Sequence, residues 1–421
     1  MSIRITRRKA LGAVAAVAAA SLAIGISMPA NAAGAADKTL KITSILPLTG
    51  ALAFLYPPME AGASLAIDDI NKAGGVLGNK VTINWKDSGD GTNLAVSTQS
   101  ATAAIADGTD VVLGAAASGV TRNIINQITG AKIVEISPSN TAPDLSNWND
   151  GGYYFRTAPS DMLQGRIASN QILQDGAQSV AVMYANNSYG TGLMNVAKTQ
   201  LSAGGATVKT FAFPEAETNF DSIVSQVTAS NPDAVLIISY DETKKALPAL
   251  KAAGFPGGNI YLVDGNTIDY SKESFASYLA GAQGTIPGFS TSDAFKGRLK
   301  AKYAKLHPGK TLNDFTYAAE SYDAVTLAAI AAQAAGKATG PAIKSQLTNI
   351  SLAGAGKTNV TSFAAALKAL KAGKKVNYDG FSGPIEFDAN GDPTGAYIGI
   401  YRYTTKGVNV LTKTVAGNTA K

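Results

Sequence analysis

Between residues 40 and 140 the chain alternates short apolar runs with longer stretches whose apolar residues recur every three to four positions. The runs at 40–46, 80–86, 110–115 and 131–137 predict strands, and the stretches at 57–73, 92–107 and 118–129 predict helices. Punctuation supports these limits. Pro57 and Pro58 stand at a first helical turn, Gly74 and Gly75 stop that helix, and Gly108 and Gly130 end the next two. The strand runs are nearly all apolar rather than alternating, as a parallel sheet covered by helices on both faces requires. A second series begins near Pro159. It predicts strands over 179–185, 207–213, 233–240 and 259–264, and helices over 161–175, 189–203, 219–230 and 242–253, with Pro248 placed to kink the last helix. Two β/α series of similar size predict an α/β fold of two doubly wound, Rossmann-like lobes with right-handed crossovers.

After Gly284 the rhythm changes. Ala-rich helices are predicted over 293–306, 313–335, 341–347 and 362–372, and strands over 384–388, 396–403 and 408–412. Helices followed by a few strands do not make a third domain of the same kind, so this tail is expected to return and complete both lobes. Several crossings between lobes make a hinge of a few strand-terminal residues.

Ligands of open parallel sheets bind outside the carboxyl ends of the strands. In the first series those ends carry Ser118, Ser139, Asn140 and Thr141, neutral hydroxyl and amide groups beside helix-start N–H groups. Such a spot receives a carboxylate. In the second series the ends carry Tyr189, Tyr240, Asp241 and Asp264, acids and aromatic faces that suit a cation. One wall for a carboxylate facing another for an ammonium describes an α-amino acid held between two lobes. Plainer roles stay open: Ser118 and Asp241 as helix caps, the tyrosines as strand-end packing, Asp264-Gly265 as a turn.

The amino terminus adds an address. Arg4, Arg7, Arg8 and Lys9 precede an apolar run from Ala10 to about Met28, and Ala30-Asn31-Ala32 offers a small-x-small cleavage site. This predicts a signal peptide over 1–32, with an uncleaved membrane anchor as the alternative. Thr6-Arg7-Arg8-Lys9-Ala10-Leu11 looks like a twin-arginine signal but lacks the Phe often found there, so a Sec route stays open. The expected location is periplasmic or secreted. There is no cysteine in the 421 residues, which excludes disulfides, thiolate metal sites, cysteine nucleophiles and a lipoprotein anchor. Without the four basic residues of the signal, Lys+Arg falls from 36 to 32 against 30 Asp+Glu, so the net charge of +6 becomes +2. A near-neutral chain with no Arg-rich, aromatic-interleaved stripe is not expected to bind nucleic acid. The roughly 390 residues that remain suit two cores rather than one.

Several stretches carry a family resemblance. They are Pro47-Leu48-Thr49-Gly50, Ala66-Ile67-Asp68-Asp69-Ile70-Asn71-Lys72-Ala73-Gly74-Gly75, Phe155-Arg156-Thr157-Ala158-Pro159-Ser160-Asp161-Met162-Leu163-Gln164-Gly165, Ser188-Tyr189-Gly190-Thr191-Gly192-Leu193, and Tyr378-Asp379-Gly380-Phe381-Ser382-Gly383-Pro384-Ile385-Glu386-Phe387-Asp388. In that order the chain resembles the leucine/isoleucine/valine-binding proteins, the type I periplasmic solute-binding family of ABC transporters. The resemblance implies a Venus-flytrap fold with three hinge crossings, near Ala158, Phe289 and Ala396. It divides the chain into 37–157 plus 289–395 as one lobe and 158–288 plus 396–421 as the other. It implies that Ser118 holds the ligand carboxylate, and that Ser139, Asn140 and Thr141 add main-chain N–H groups and a hydroxyl. It implies too that Tyr189 and Tyr240 contact the ligand from the second lobe, and that Asp264 pairs with its ammonium where branched-chain binders carry a Glu. The segment 53–58 departs from the family's Gly-containing loop, so Phe54 or Tyr56 is expected to shape the side-chain pocket and the ligand need not be branched. Relatives of this kind also take urea, amides and aromatic acids. The implied partners are a small solute and a membrane permease; a monomer without cofactor is expected.

Two other function classes are weighed against this. Ala353-Gly354-Ala355-Gly356-Lys357-Thr358 echoes a phosphate loop, but Ser351 stands where its first Gly belongs. His307, the single histidine, precedes Pro308-Gly309 in a turn, without partners for catalysis or metal binding, so an enzyme is not expected. A sensor of the same fold would add a membrane span or signalling module after the lobes, and none is read before Lys421.

Overall fold

The computed structural model describes residues 38–288 and 291–418. The expected signal peptide and the crossing expected at Phe289 lie outside these residues.

The first series forms β1 (Lys41–Leu46), α1 (Tyr56–Lys72), β2 (Thr82–Asp87), α2 (Leu94–Ala106), β3 (Val111–Gly114), α3 (Ser118–Gly130), β4 (Val134–Ser137) and β5 (Tyr154–Arg156). Its five strands make one parallel sheet in the order β2-β1-β3-β4-β5. The second series forms α4 (Asp161–Gln174), β6 (Ser179–Ala185), α5 (Ser188–Ala203), β7 (Thr207–Phe213), α6 (Asp221–Ala229), β8 (Ala234–Ile238), α7 (Thr243–Ala252), β9 (Ile260–Leu262) and β10 (Gln283–Pro287). The apolar-run argument holds for central strands: β3, β4 and β8 are buried along their whole length. It fails at the edges. β2 and β7 are edge strands made of exposed and half-buried residues, with Phe213 at the end of β7 the one buried position.

The tail comprises α8 (Asp293–Leu306), α9 (Ala318–Ala335), α10 (Gly340–Ser351), β11 (Lys357–Val360), α11 (Phe363–Lys371), β12 (Lys375–Gly380), β13 (Gly383–Pro384), β14 (Gly395–Tyr403) and β15 (Asn409–Asn418). Its helices pack on the first series: α8, α9 and α11 against α1, and α10 against β4. The α1–α9 contact is backbone-close, since a Cβ at Gly62 would lie 2.0 Å from the Ala318 carbonyl oxygen. Its last strands go elsewhere. β14 and β15 extend the second sheet antiparallel, in the order β15-β14-β10-β9-β8-β6-β7. β11, β12 and β13 form a small third sheet, which the apolar pattern does not foreshadow.

Three departures have local causes. The helix expected over 313–335 begins only at Ala318, because Asp314 Oδ1 accepts the N–H and hydroxyl of Thr316 in a tight turn. The strand expected over 384–388 reduces to Gly383–Pro384 and a single bridge between Phe387 and Pro393. The unforeseen β5 and β10 are short and read Tyr-Phe-Arg and Gln-Gly-Thr-Ile-Pro, neither an apolar run. Among the described residues no helix is long and apolar enough to cross a membrane.

Candidate functional site

The first wall is a loop of small residues. After β3 the chain passes through Ala115-Ala116-Ala117, all buried, and α3 opens at Ser118. The loop is held by its carbonyl groups. Ser137 Oγ donates to Ala115 O at 2.7 Å, and Asn140 Nδ2 and Ser139 Oγ donate to Ala116 O at 2.8 and 3.2 Å. Ala117 takes the helix-cap position, so Ser118 is not the cap; its Oγ accepts the Ala142 N–H at 3.4 Å and the residue is buried. Asn140 also accepts the Tyr154 hydroxyl at 3.0 Å. Its amide is thus a strut between loop and core rather than a cavity wall, contrary to expectation. The N–H groups of Ser139 and Asn140, expected to face a ligand, both bond Ser137 Oγ.

The second wall centres on Asp264. Tyr189, in the first turn of α5, stacks on Tyr240 with ring centroids 5.2 Å apart. Its hydroxyl donates to Asp264 Oδ1 at 2.7 Å, and Gln164 Nε2 of α4 donates to the same oxygen at 2.8 Å. Tyr317, just before α9, donates to Oδ2 at 2.6 Å. Gly265 is required beside the acid: a Cβ there would lie 2.6 Å from Ser239 O and 3.0 Å from the Tyr240 ring. All three side-chain donors to Asp264 are neutral. Burial pushes its carboxyl above the usual range, against the pull of the Tyr317, Tyr189 and Gln164 hydrogen bonds. Asp161, bonded to the same Gln164 amide, is pushed up to about 8, by burial first and then by the Asp264 charge. Asp241 lies outside this group and forms an ion pair with Lys244.

The walls meet around one small cavity lined by Leu52, Leu55, Ala116, Ser118, Ser139, Thr141, Tyr189, Tyr240, Asp264, Gly265 and Tyr317. About 270 Å³ of it is free of protein atoms, and a water centre reaches about 10 Å³, near the minimum for one water. Six of the nine expected residues therefore come together; Asn140, Phe54 and Tyr56 do not. The reason at the amino end is periodicity. Ala53–Leu55 is a 3₁₀ turn, in which residues three apart eclipse, so Leu52 and Leu55 share the face toward the cavity. Phe54 packs half-buried against the core, while Tyr56 sets its ring edge on Trp85 and donates to Glu60, the partner of His307. The sequence reading missed Leu52, Leu55, Ala116, Gly265 and Tyr317. The first pair is legible only once the turn is known to be 3₁₀. A larger cleft of about 450 Å³ lies beside this cavity and shares Tyr317 with it, but none of the nine expected residues lines it.

Comparison with known proteins agrees with this architecture. The chain is 30% identical over 207 residues to the Leu/Ile/Val-binding protein BraC3 of Rhizobium johnstonii, an overlap of 49% of this chain and 56% of that protein. It is 26% identical over 385 residues to the chemotactic signal transduction system substrate-binding protein BasB of Halobacterium salinarum, 89% of each chain. Among solved structures it superposes on the branched-chain amino acid transporter substrate binding protein LivJ of Streptococcus pneumoniae, in complex with isoleucine, with a TM-score of 0.71. That superposition covers 90% of this chain and 100% of the other at 23% identity, and shows the fold: two α/β lobes of the type I periplasmic binding protein. Residues 39–407, which include the first sheet, all of the second sheet except β15, and every wall of the cavity, match the periplasmic binding protein family, to which this chain belongs.

Proposed function

We propose that the chain captures an α-amino acid between its lobes outside the cytoplasm and delivers it to the membrane permease of an ABC importer. The observation that carries this reading is Asp264, a buried carboxylate whose side-chain donors are all neutral, across a small cavity from Ser118 and Thr141. A buried charge without a counter-charge is costly, and a ligand ammonium supplies that counter-charge. On the opposite wall the hydroxyls of Ser118 and Thr141 and the first turn of α3 favour a carboxylate. The Leu/Ile/Val specificity in the name of BraC3 and the isoleucine held by LivJ support a branched-chain amino acid, and Leu52, Leu55 and Ala116 give an apolar lining for its side chain.

The cavity is too small to admit such a solute without the walls parting. Residues 37–157 with 289–395 are therefore taken to move against 158–288 with 396–421, about crossings near Ala158, Phe289 and Ala396. Export by the signal over 1–32, along a twin-arginine or Sec route, would deliver the protein to the periplasm or medium. The site groups are arranged to recognise charge rather than to turn over a substrate. The test is a thermal-shift screen of the mature chain, followed by calorimetry with the best α-amino acid, its amide and its des-amino acid. The amino acid should bind more tightly than both analogues; equal affinity for all three overturns the reading.

A further inference from the structure

Tyr317 occupies a position that neither the apolar pattern nor the family resemblance singles out. Asp314 turns the chain back through Thr316, and Tyr317 then adopts a left-handed backbone, φ 60° and ψ 13°, before α9 begins. Non-glycine residues hold that conformation only when their surroundings over-determine it. Here the following residue, Ala318, is clamped against Gly62 of α1, and the Tyr317 side chain is 3% exposed. The result is a phenol of the tail, held against the first series, that reaches Asp264 of the second at 2.6 Å. The two donors to Asp264 Oδ1, Gln164 and Tyr189, belong to α4 and α5 of Asp264's own series, whereas Oδ2 receives Tyr317 from the opposite side.

We propose that Tyr317 is a ligand-binding residue that reads the ammonium from the first lobe; this rests on the amino-acid reading above. A phenol has one donor and two acceptor lone pairs. Its donor is committed to Asp264, so toward a solute in the cavity it lines it acts only as an acceptor. An ammonium has three N–H groups and bonds Asp264 and the Tyr317 oxygen together. A ligand without N–H or O–H at that position leaves the oxygen unmatched. The ammonium is thereby gripped from both lobes at once, which holds the closed form as well as selecting the head group.

The test is calorimetry and stopped-flow dissociation on the mature chain, with the best α-amino acid and its des-amino analogue. The proteins are wild type, Tyr317→Phe, Asp264→Asn and the double variant. Tyr317→Phe should weaken the amino acid about tenfold, mainly through faster dissociation, and change the des-amino acid less than about twofold. In the Asp264→Asn background the same change should add less than about threefold, because both residues serve one ammonium. Unaltered melting of Tyr317→Phe excludes a folding defect as the cause. Equal losses for both ligands overturn the proposal, since Tyr317 would then only brace the closed form; so does an unchanged amino-acid affinity. Failure of the underlying reading shows separately, as wild type binding the des-amino acid as tightly as the amino acid.

Discussion

Arg156 and Asp392 meet in a forked, buried pair, Nε to Oδ1 at 2.7 Å and Nη2 to Oδ2 at 2.6 Å, with the guanidinium fully out of water. The remaining donors reach the carbonyls of Asn140 and Ala142 and the hydroxyl of Ser146. One side chain thus ties β5, the loop that carries Thr141, and the segment that leads into β14. Burial opposes the charge, but Asp392 overrides it and holds the guanidinium above its ordinary range. Arg156→Ala leaves the Asp392 carboxylate buried with the neutral Ser146 hydroxyl and no counter-charge. Denaturant unfolding should show a loss of about 3–5 kcal/mol. Arg156→Lys keeps the charge but not the fork and should fall between. A loss under about 1 kcal/mol for the alanine variant would show that the pair is not structural.

Asp264→Asn tests the ammonium role directly. It removes the charge while keeping the shape. Truncating one partner of a buried charged pair costs on the order of 2–5 kcal/mol, so amino-acid affinity should fall about thirtyfold or more. Asp264→Glu keeps the charge and changes only the reach, and should be milder. A turn former at the Gly265 junction would instead make the Asn variant nearly silent in calorimetry.

Ser118→Ala and Thr141→Ala address the other end of the ligand. Each removes a hydroxyl from the wall opposite Asp264. A hydrogen bond to a charged group is worth roughly 1.5–3 kcal/mol, about twice a neutral one. Both variants should therefore weaken an amino acid more than its amide. Equal losses in paired titrations would place the carboxylate elsewhere.

The core of both lobes was legible because central parallel strands are dry on two faces: β6 and β8 lie where apolar spacing predicts them. Strands of three to five residues that contain Arg, Gly or Pro, such as β5 and β10, leave no periodic trace. The quoted family stretches proved largely architectural. Asp323 of α9 accepts Tyr378, Ser382 and the N–H groups of Phe381 and Ser382, which fixes the turn within 378–388. Asp87 and Asp90 hold the loop through Leu48, Thr49 and Ala51, and so set Leu52 and Leu55 at the cavity. The strand-end rule found the cavity residues Ser118, Ser139, Thr141, Tyr189, Tyr240 and Asp264. It could not find Tyr317, which arrives from a tail more than fifty residues beyond Asp264, nor distinguish Asn140 as a strut, since both depend on tertiary contacts.

Glu320 supplies the last prediction. It sits in the first turn of α9, 4% exposed, and its carboxyl is pushed up to about 8 by burial, with Asp323 adding to the rise and its own backbone N–H opposing it. In the unfolded chain the same group ionises near the ordinary glutamate value of about 4.3. Between those limits the native state keeps a proton that the unfolded state has lost, so stability falls as pH rises. Below about 4 both states are protonated, and above about 8 both are ionised, so the slope is confined to that window. One such group sets a limit of about 1.4 kcal/mol per pH unit. Asp161 acts in the same sense, so the wild-type slope has at least two sources. Glu320→Gln isolates one of them: the amide has the carboxyl's shape and no proton to lose. Relative to wild type, this variant should gain stability steadily from pH 5 to pH 8, by about 1–3 kcal/mol in urea unfolding at fixed salt. A difference that stays flat across the window would mean that Glu320 is already ionised in the folded protein.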